Sequence, residues 1–141
     1  MNRALVFHSI LMLVLACLLL TACEQKRDPA HEVVRTLEQR ERGLNLQDMD
    51  MYLGAISSGY AGSTTAYEEI VARAEDLFER IDTIQYSSYE RSLYSEEHGR
   101  IRAVQRFTME LTSDGRTRSV SGHEQLFLVP EDDRYLIVDG L

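Results

Sequence analysis

Cysteine is nearly missing from this chain, tryptophan is missing altogether, and positive charge is scarce over most of its length. Of the two cysteines, Cys17 lies inside an apolar N-terminal run and Cys23 just after it, so residues 24–141 contain no thiol. For that body a disulfide framework, a cysteine-based zinc site and a thiol nucleophile are excluded together. From Cys23 onward the chain holds 14 Lys and Arg against 23 Asp and Glu, a net charge of −9. With no basic stripe and no zinc-finger spacing to offset it, that charge repels phosphate backbones and speaks against nucleic-acid binding. Beyond the N-terminal run the histidines, His31, His98 and His123, stand far apart, with no pair at metal-ligand spacing, so no metal site is expected. A glycine-rich phosphate loop, a GxSxG elbow and an HExxH pair are also missing, and no cofactor is expected.

What is present is enough for one domain: 141 residues, 44% of them hydrophobic, with the apolar positions outside the N-terminus falling into regular periods. Met1-Asn2-Arg3 is a short basic start, and Ala4 to Leu20 is apolar apart from His8 and Ser9. As a helix that run reaches roughly 25 Å, which suits a signal peptide or a short membrane anchor. Leu20-Thr21-Ala22-Cys23 resembles the lipobox of bacterial lipoproteins. The resemblance implies removal of residues 1–22 and acylation of Cys23 by a diacylglyceryl thioether and an N-acyl chain such as palmitate. Two or three acyl chains hold a protein on a membrane stably. The alternative is an uncleaved anchor with Cys23 as an ordinary small residue. Glu24, in place of Asp, leans toward the outer membrane, so the expected location is the bacterial cell envelope, lipid-anchored and facing the periplasm. Residues 23–29 then read as a tether, and 30–141 as the domain.

From Ala30 the spacing predicts a helix with a stripe of Val33, Val34, Leu37, Glu41 and Leu44, bent or ended by Gly43. Asn45 reads as the N-cap of a second segment striped by Met49, Tyr52, Leu53 and Ile56. Thr65 with Glu68 reads as a capping box opening a third helix to Arg80, whose apolar positions form a single stripe. From Thr83 the period changes to two. Four strands are expected, at 84–94, 100–112, 117–129 and 134–138, with Asp114-Gly115 as a type I′ hairpin turn. The class is α+β: N-terminal helices on an antiparallel meander.

A two-residue loop at Asp114-Gly115 fixes the register, because Ser113 then faces Arg116. Met109 meets Val120, Phe107 meets Gly122, Gln105 meets Glu124, Ala103 meets Leu126 and Ile101 meets Leu128, which is a buried face. Arg106 with His123 and Arg102 with Phe127 belong to the outer face. If the turn at Pro130 to Asp133 has four residues, Asp139 lies opposite Glu124. Gln105, Glu124 and Asp139 then make a polar row that must face a wet pocket or pair with one another, unless Glu124 sits solvated at the sheet's mouth; a bulge at Gly122 would instead rotate the register. In an enclosed pocket the Glu124 pKa would rise.

This order of helices followed by a curved meander resembles the nuclear-transport-factor-2-like superfamily, which includes SnoaL-like cyclases and ketosteroid isomerases. The resemblance rests on Asn45 to Ile56 leading into Ser58-Gly59-Tyr60, the helix before the first long strand, Gly122-His123-Glu124, and the ending Arg134 to Val138. It implies a cone-shaped fold with a pocket between helices and sheet, here lined by Tyr52, Gln105, Phe107, Glu124 and Asp139, with Glu124 as the general base if there is one. Three functions follow as expectations. The first is an envelope lipoprotein whose cone binds a small ligand or another envelope protein. The second is an isomerase- or cyclase-like enzyme using Glu124. The third is a structural homodimer through outer-face residues such as Val104, Arg106, His123 and Phe127.

Overall fold

The computed structural model describes residues 28–61 and 65–141. Helix α1 (Pro29–Leu46) opens on Asp28, whose side chain accepts from the Ala30 amide at 3.0 Å, with Pro29 in the first turn where no amide is needed. It ends at Gln47, a left-handed residue with φ 52°, and the amides of Gln47 and Asp48 close back onto Leu44 and Gly43. Helix α2 (Met49–Leu53) is capped by Asp48, which accepts from the Met51 amide at 2.8 Å. Helix α3 (Tyr67–Arg80) is the third. The sheet follows: β1 (Thr83–Ser95), β2 (Ile101–Ser113), β3 (Arg116–Glu131) and β4 (Arg134–Asp139), antiparallel in the order β1-β2-β3-β4.

Asp114 and Gly115 both have positive φ, 51° and 71°, as a type I′ turn requires, and the pairing runs from Ser113 with Arg116 to Ile101 with Leu128 without a slip. Gly122 carries no bulge. The inner face therefore holds Ile101, Ala103, Leu126 and Leu128, all buried. Helix α1 touches both edge strands, β1 and β4, so the sheet curls around it and forms a cone. At the β4 edge the chain after α2 pairs locally with Ile137, which covers that edge.

Four expectations are corrected. Gly43 does not end α1; it lies inside the helix where α2 crosses, and a Cβ there would stand 2.5 Å from the Tyr52 backbone nitrogen. Asn45 is the penultimate residue of α1, and Asp48 supplies the cap instead. Thr65 does not cap α3, whose N-cap position is Ala66 with no side-chain bond. The turn before β4 has two residues, Asp132 and Asp133, so Glu131 pairs with Arg134, and a bulge near the end sets Asp139 opposite Phe127. The lipobox and Cys23 lie outside the described residues.

Candidate functional site

Glu124 sits on the inner face of β3, beside Gln105 of β2, as the hairpin register dictates. Gln105 is fully buried, and Glu124 keeps only 12% of its side chain exposed. A carboxylate in such a place must be matched by donors, and it is. Gln105 Nε2 donates to Glu124 Oε1 at 2.6 Å, and the Tyr86 hydroxyl, from the inner face of β1, donates to the same oxygen. From α1, Arg40 completes the shell: NH1 donates to Oε1 at 3.0 Å and NH2 to Oε2 at 3.1 Å, a two-pronged guanidinium–carboxylate pair. NH1 also reaches the Tyr86 hydroxyl at 3.3 Å, and the guanidinium lies 5.3 Å from that ring's centre.

The shell is held in turn by other groups. Phe107 stacks on Tyr86, with ring centres 5.7 Å apart and 14° between planes. Asn45 grips the Tyr86 backbone from both sides, donating to its carbonyl at 2.9 Å and accepting from its amide at 2.5 Å. Gln105 is oriented by Arg91, whose Nε donates to Gln105 Oε1 at 2.6 Å. Arg91 points inward because β1 shifts register between Tyr89 and Ser92, with Glu90 in the left-handed region at φ 52°; the bulge re-aims the next side chain. Arg91 also donates to Ser88 Oγ at 2.9 Å, and Ser88 donates to Glu41 at 2.7 Å, carrying the network to the surface.

Burial alone would push the Glu124 carboxyl up, and it is the largest single influence on that group. The Arg40 charge, with the bonds from Tyr86 and Gln105, outweighs it and holds Glu124 below the usual carboxylate range. This corrects the expectation of a raised pKa, which counted desolvation but no counter-charge. Tyr86 is pushed up to about 12, first by burial; Arg40 opposes this and Glu124 adds to it. Burial disfavours the Arg40 charge, but Glu124, Tyr86 and Tyr52 more than restore it, so the guanidinium is held in its charged form.

Of the expected pocket residues, Gln105, Phe107 and Glu124 come together around Tyr86. Tyr52 is buried edge-on to Phe78, with ring centres 6.1 Å apart, and lines a separate apolar cavity of about 110 Å³. Asp139 is not in the cluster: it faces Arg100 at 3.9 Å, near the end of β4. Sequence reasoning missed Arg40, although a signal was there. Val33, Leu37 and Leu44 mark a stripe whose next position, at i+7 from Val33, is Arg40. A lone cation inside an apolar stripe calls for a buried anion, and Glu124 was the acid the register had already placed on the inner face.

The outer face of the sheet is a different chemistry. Arg100 stacks on Phe127 at 4.0 Å, Arg102 on Tyr94 at 4.5 Å and Arg106 on Tyr89 at 5.5 Å, while Glu96 and Glu90 pair with these arginines. Among the described residues no group of His, Cys, Asp and Glu is placed to hold a metal ion, and no helix is long and apolar enough to cross a membrane.

No family model and no curated protein sequence matches the chain. Solved structures do match in fold. The chain is similar to Aln2 from a Streptomyces species, with a TM-score of 0.68 and 15% identity over 82% of this chain and 91% of that one. It is similar to ActVI-ORFA from Streptomyces coelicolor, with a TM-score of 0.61 and 16% identity over 79% and 92%. A candidate scytalone dehydratase from Novosphingobium aromaticivorans matches with a TM-score of 0.65 and 7% identity over 79% and 80%. At these identities the likeness is one of fold: helices packed on a four-stranded antiparallel sheet in a cone.

Proposed function

We propose that the chain is a lipid-anchored protein of the bacterial envelope whose cone domain works by binding a ligand or another envelope protein, and that Glu124 serves the fold and carries no proton transfer. The observation behind this is the buried counter-charge on the Glu124 carboxylate. A general base needs a pKa near the working pH. Here Arg40 engages both oxygens, Tyr86 and Gln105 donate to Oε1 as well, and the pKa moves away from neutrality. The cone fold is compatible with an isomerase- or cyclase-like enzyme, but that reading requires Arg40 to leave a buried pair first. Titrating Glu124 by carboxyl-carbon NMR decides between them. A midpoint below the free-glutamate value of about 4.3 supports the binding reading, and one near neutrality returns Glu124 to the role of base.

The anchor rests on the Leu20-Thr21-Ala22-Cys23 run. Intact mass of the membrane-extracted protein should show residues 1–22 removed and acyl mass on Cys23, and Cys23→Ser should accumulate as an uncleaved precursor. An unmodified Cys23 or a retained N-terminus would end the lipoprotein assignment.

A further inference from the structure

Between α1 and the β1 edge lies an open cleft of about 570 Å³, within the range of small-ligand sites. Its β1 wall carries backbone groups that no strand among the described residues covers. Antiparallel pairing points the N–H and C=O of alternate residues toward the neighbouring strand and those between them away. Both backbone groups of Tyr86 face away from β2, because the Asn45 carboxamide takes them at 2.5 and 2.9 Å. By alternation the N–H and C=O of Ser88 face the same way, and Ser88 lines the cleft. Beyond Ser88 the edge is interrupted by the bulge at Glu90, so the free stretch is a single residue, room for one short extended unit.

The charges of the cleft then indicate what such a unit would carry. Glu41 accepts from Ser88, Glu90 pairs with Arg106 at 3.3 Å, and Arg91 is engaged by Gln105 and Ser88. Glu38 and Arg42 have no ion-pair or hydrogen-bond partner among the described residues. One acid and one base are left over, a helical turn apart on α1, with side-chain roots separated by about 5–6 Å. An extended dipeptide spans about 7 Å.

We propose, on the footing of the binding reading above, that this cleft takes a short zwitterionic peptide. The carbonyl of its amide accepts from the Ser88 N–H, its ammonium meets Glu38 and its carboxylate meets Arg42. This is strand addition reduced to a single main-chain bond, which sets the register, while the two terminal charges supply selectivity.

The test uses the full-length ¹⁵N-labelled protein in detergent, with glycylglycine as the probe. Glycylglycine should move the Ser88 amide downfield in a saturable way, and Arg42→Gln and Glu38→Gln should each weaken binding by about fivefold while the rest of the spectrum stays unchanged. An equimolar mixture of acetate and ethylammonium should not reproduce the shift. The proposal is overturned if glycylglycine gives no saturable change at Ser88, if the separate ions act equally well, or if both variants bind as the parent does. Those outcomes leave the Glu124 titration untouched, so failure here is distinguishable from failure of the binding reading.

Discussion

Replacing Arg40 by Met should be among the most damaging single changes in this domain, although it exchanges a charge for an apolar side chain of similar length. The Arg40 and Glu124 side chains are 8% and 12% exposed, so the carboxylate left behind has little access to water. Two charge-assisted bonds disappear, at about 1.5–3 kcal/mol each. The Tyr86 and Gln105 donors remain, and Glu124 can take up a proton, which holds the loss to about 3–5 kcal/mol, the usual figure for a broken buried pair. Against a typical total of about 5–15 kcal/mol that is a large fraction. With no tryptophan in the chain, urea unfolding followed by far-ultraviolet circular dichroism is the natural assay. The midpoint should fall at neutral pH, and the deficit should shrink on acidification as Glu124 becomes neutral. Removing both partners in Arg40→Met/Glu124→Leu should bring stability back to within about 1 kcal/mol of the parent or above it. A loss under about 1 kcal/mol for Arg40→Met, or a double variant no better than the single one, would refute the argument.

The two titrating partners set opposite pH limits. Glu124 has its folded pKa depressed, so its contribution is present above the unfolded value of about 4.3 and is lost as pH falls through the folded value; Glu124→Gln should flatten the acid limb of the stability curve. Tyr86 has its folded pKa raised to about 12, so its contribution is present below about 10 and is lost as pH rises toward that value. Phenolate absorbance should show late-ionising tyrosine, to which Tyr60, also raised by burial, contributes, and Tyr86→Phe should remove the part that titrates near 12. Gly43→Ala should lower the thermal midpoint despite a helix-propensity gain of about 1 kcal/mol, because the new Cβ would press on the Tyr52 backbone at 2.5 Å; a stabilised variant would contradict the close crossing of α1 and α2.

The hairpin was legible because its signal is local. Asp-Gly fixes a two-residue turn, the turn fixes the register, and the register alone placed Gln105 beside Glu124. Where turn length was ambiguous the same arithmetic failed: a two-residue turn at Asp132-Asp133 and a late bulge moved Asp139 away from the cluster. Asn45 was misjudged for another reason. Its type favours caps, but its two bonds run to Tyr86, 41 residues along the chain, and no local rule anticipates a tertiary use of a side-chain amide. Arg91 was out of reach too, since its direction depends on a bulge that the alternation from Ile84 to Tyr94 does not announce. Arg40 was within reach, and the reading passed over it by assigning the stripe to Glu41.

The polar bonds of α1 explain why the cone closes as it does. Thr36 Oγ1 donates to the Tyr135 carbonyl on β4 at 2.6 Å, Arg40 engages Glu124 on β3 and Tyr86 on β1, and Asn45 ends on the backbone of β1. In less than three turns the helix is therefore tied across the sheet from one edge to the other. Its apolar contacts through Val33, Leu37 and Leu44 are non-directional and would tolerate a slide of one turn, about 5.4 Å, at modest loss. The two-pronged Arg40–Glu124 pair would not, since both nitrogens must meet both oxygens in one plane. The carboxylate is thus spent on holding the helix in register. Use of Glu124 as a base would have to dismantle that strut, whereas a ligand seated on the outer flank of α1, against the β1 edge, leaves every one of these bonds in place.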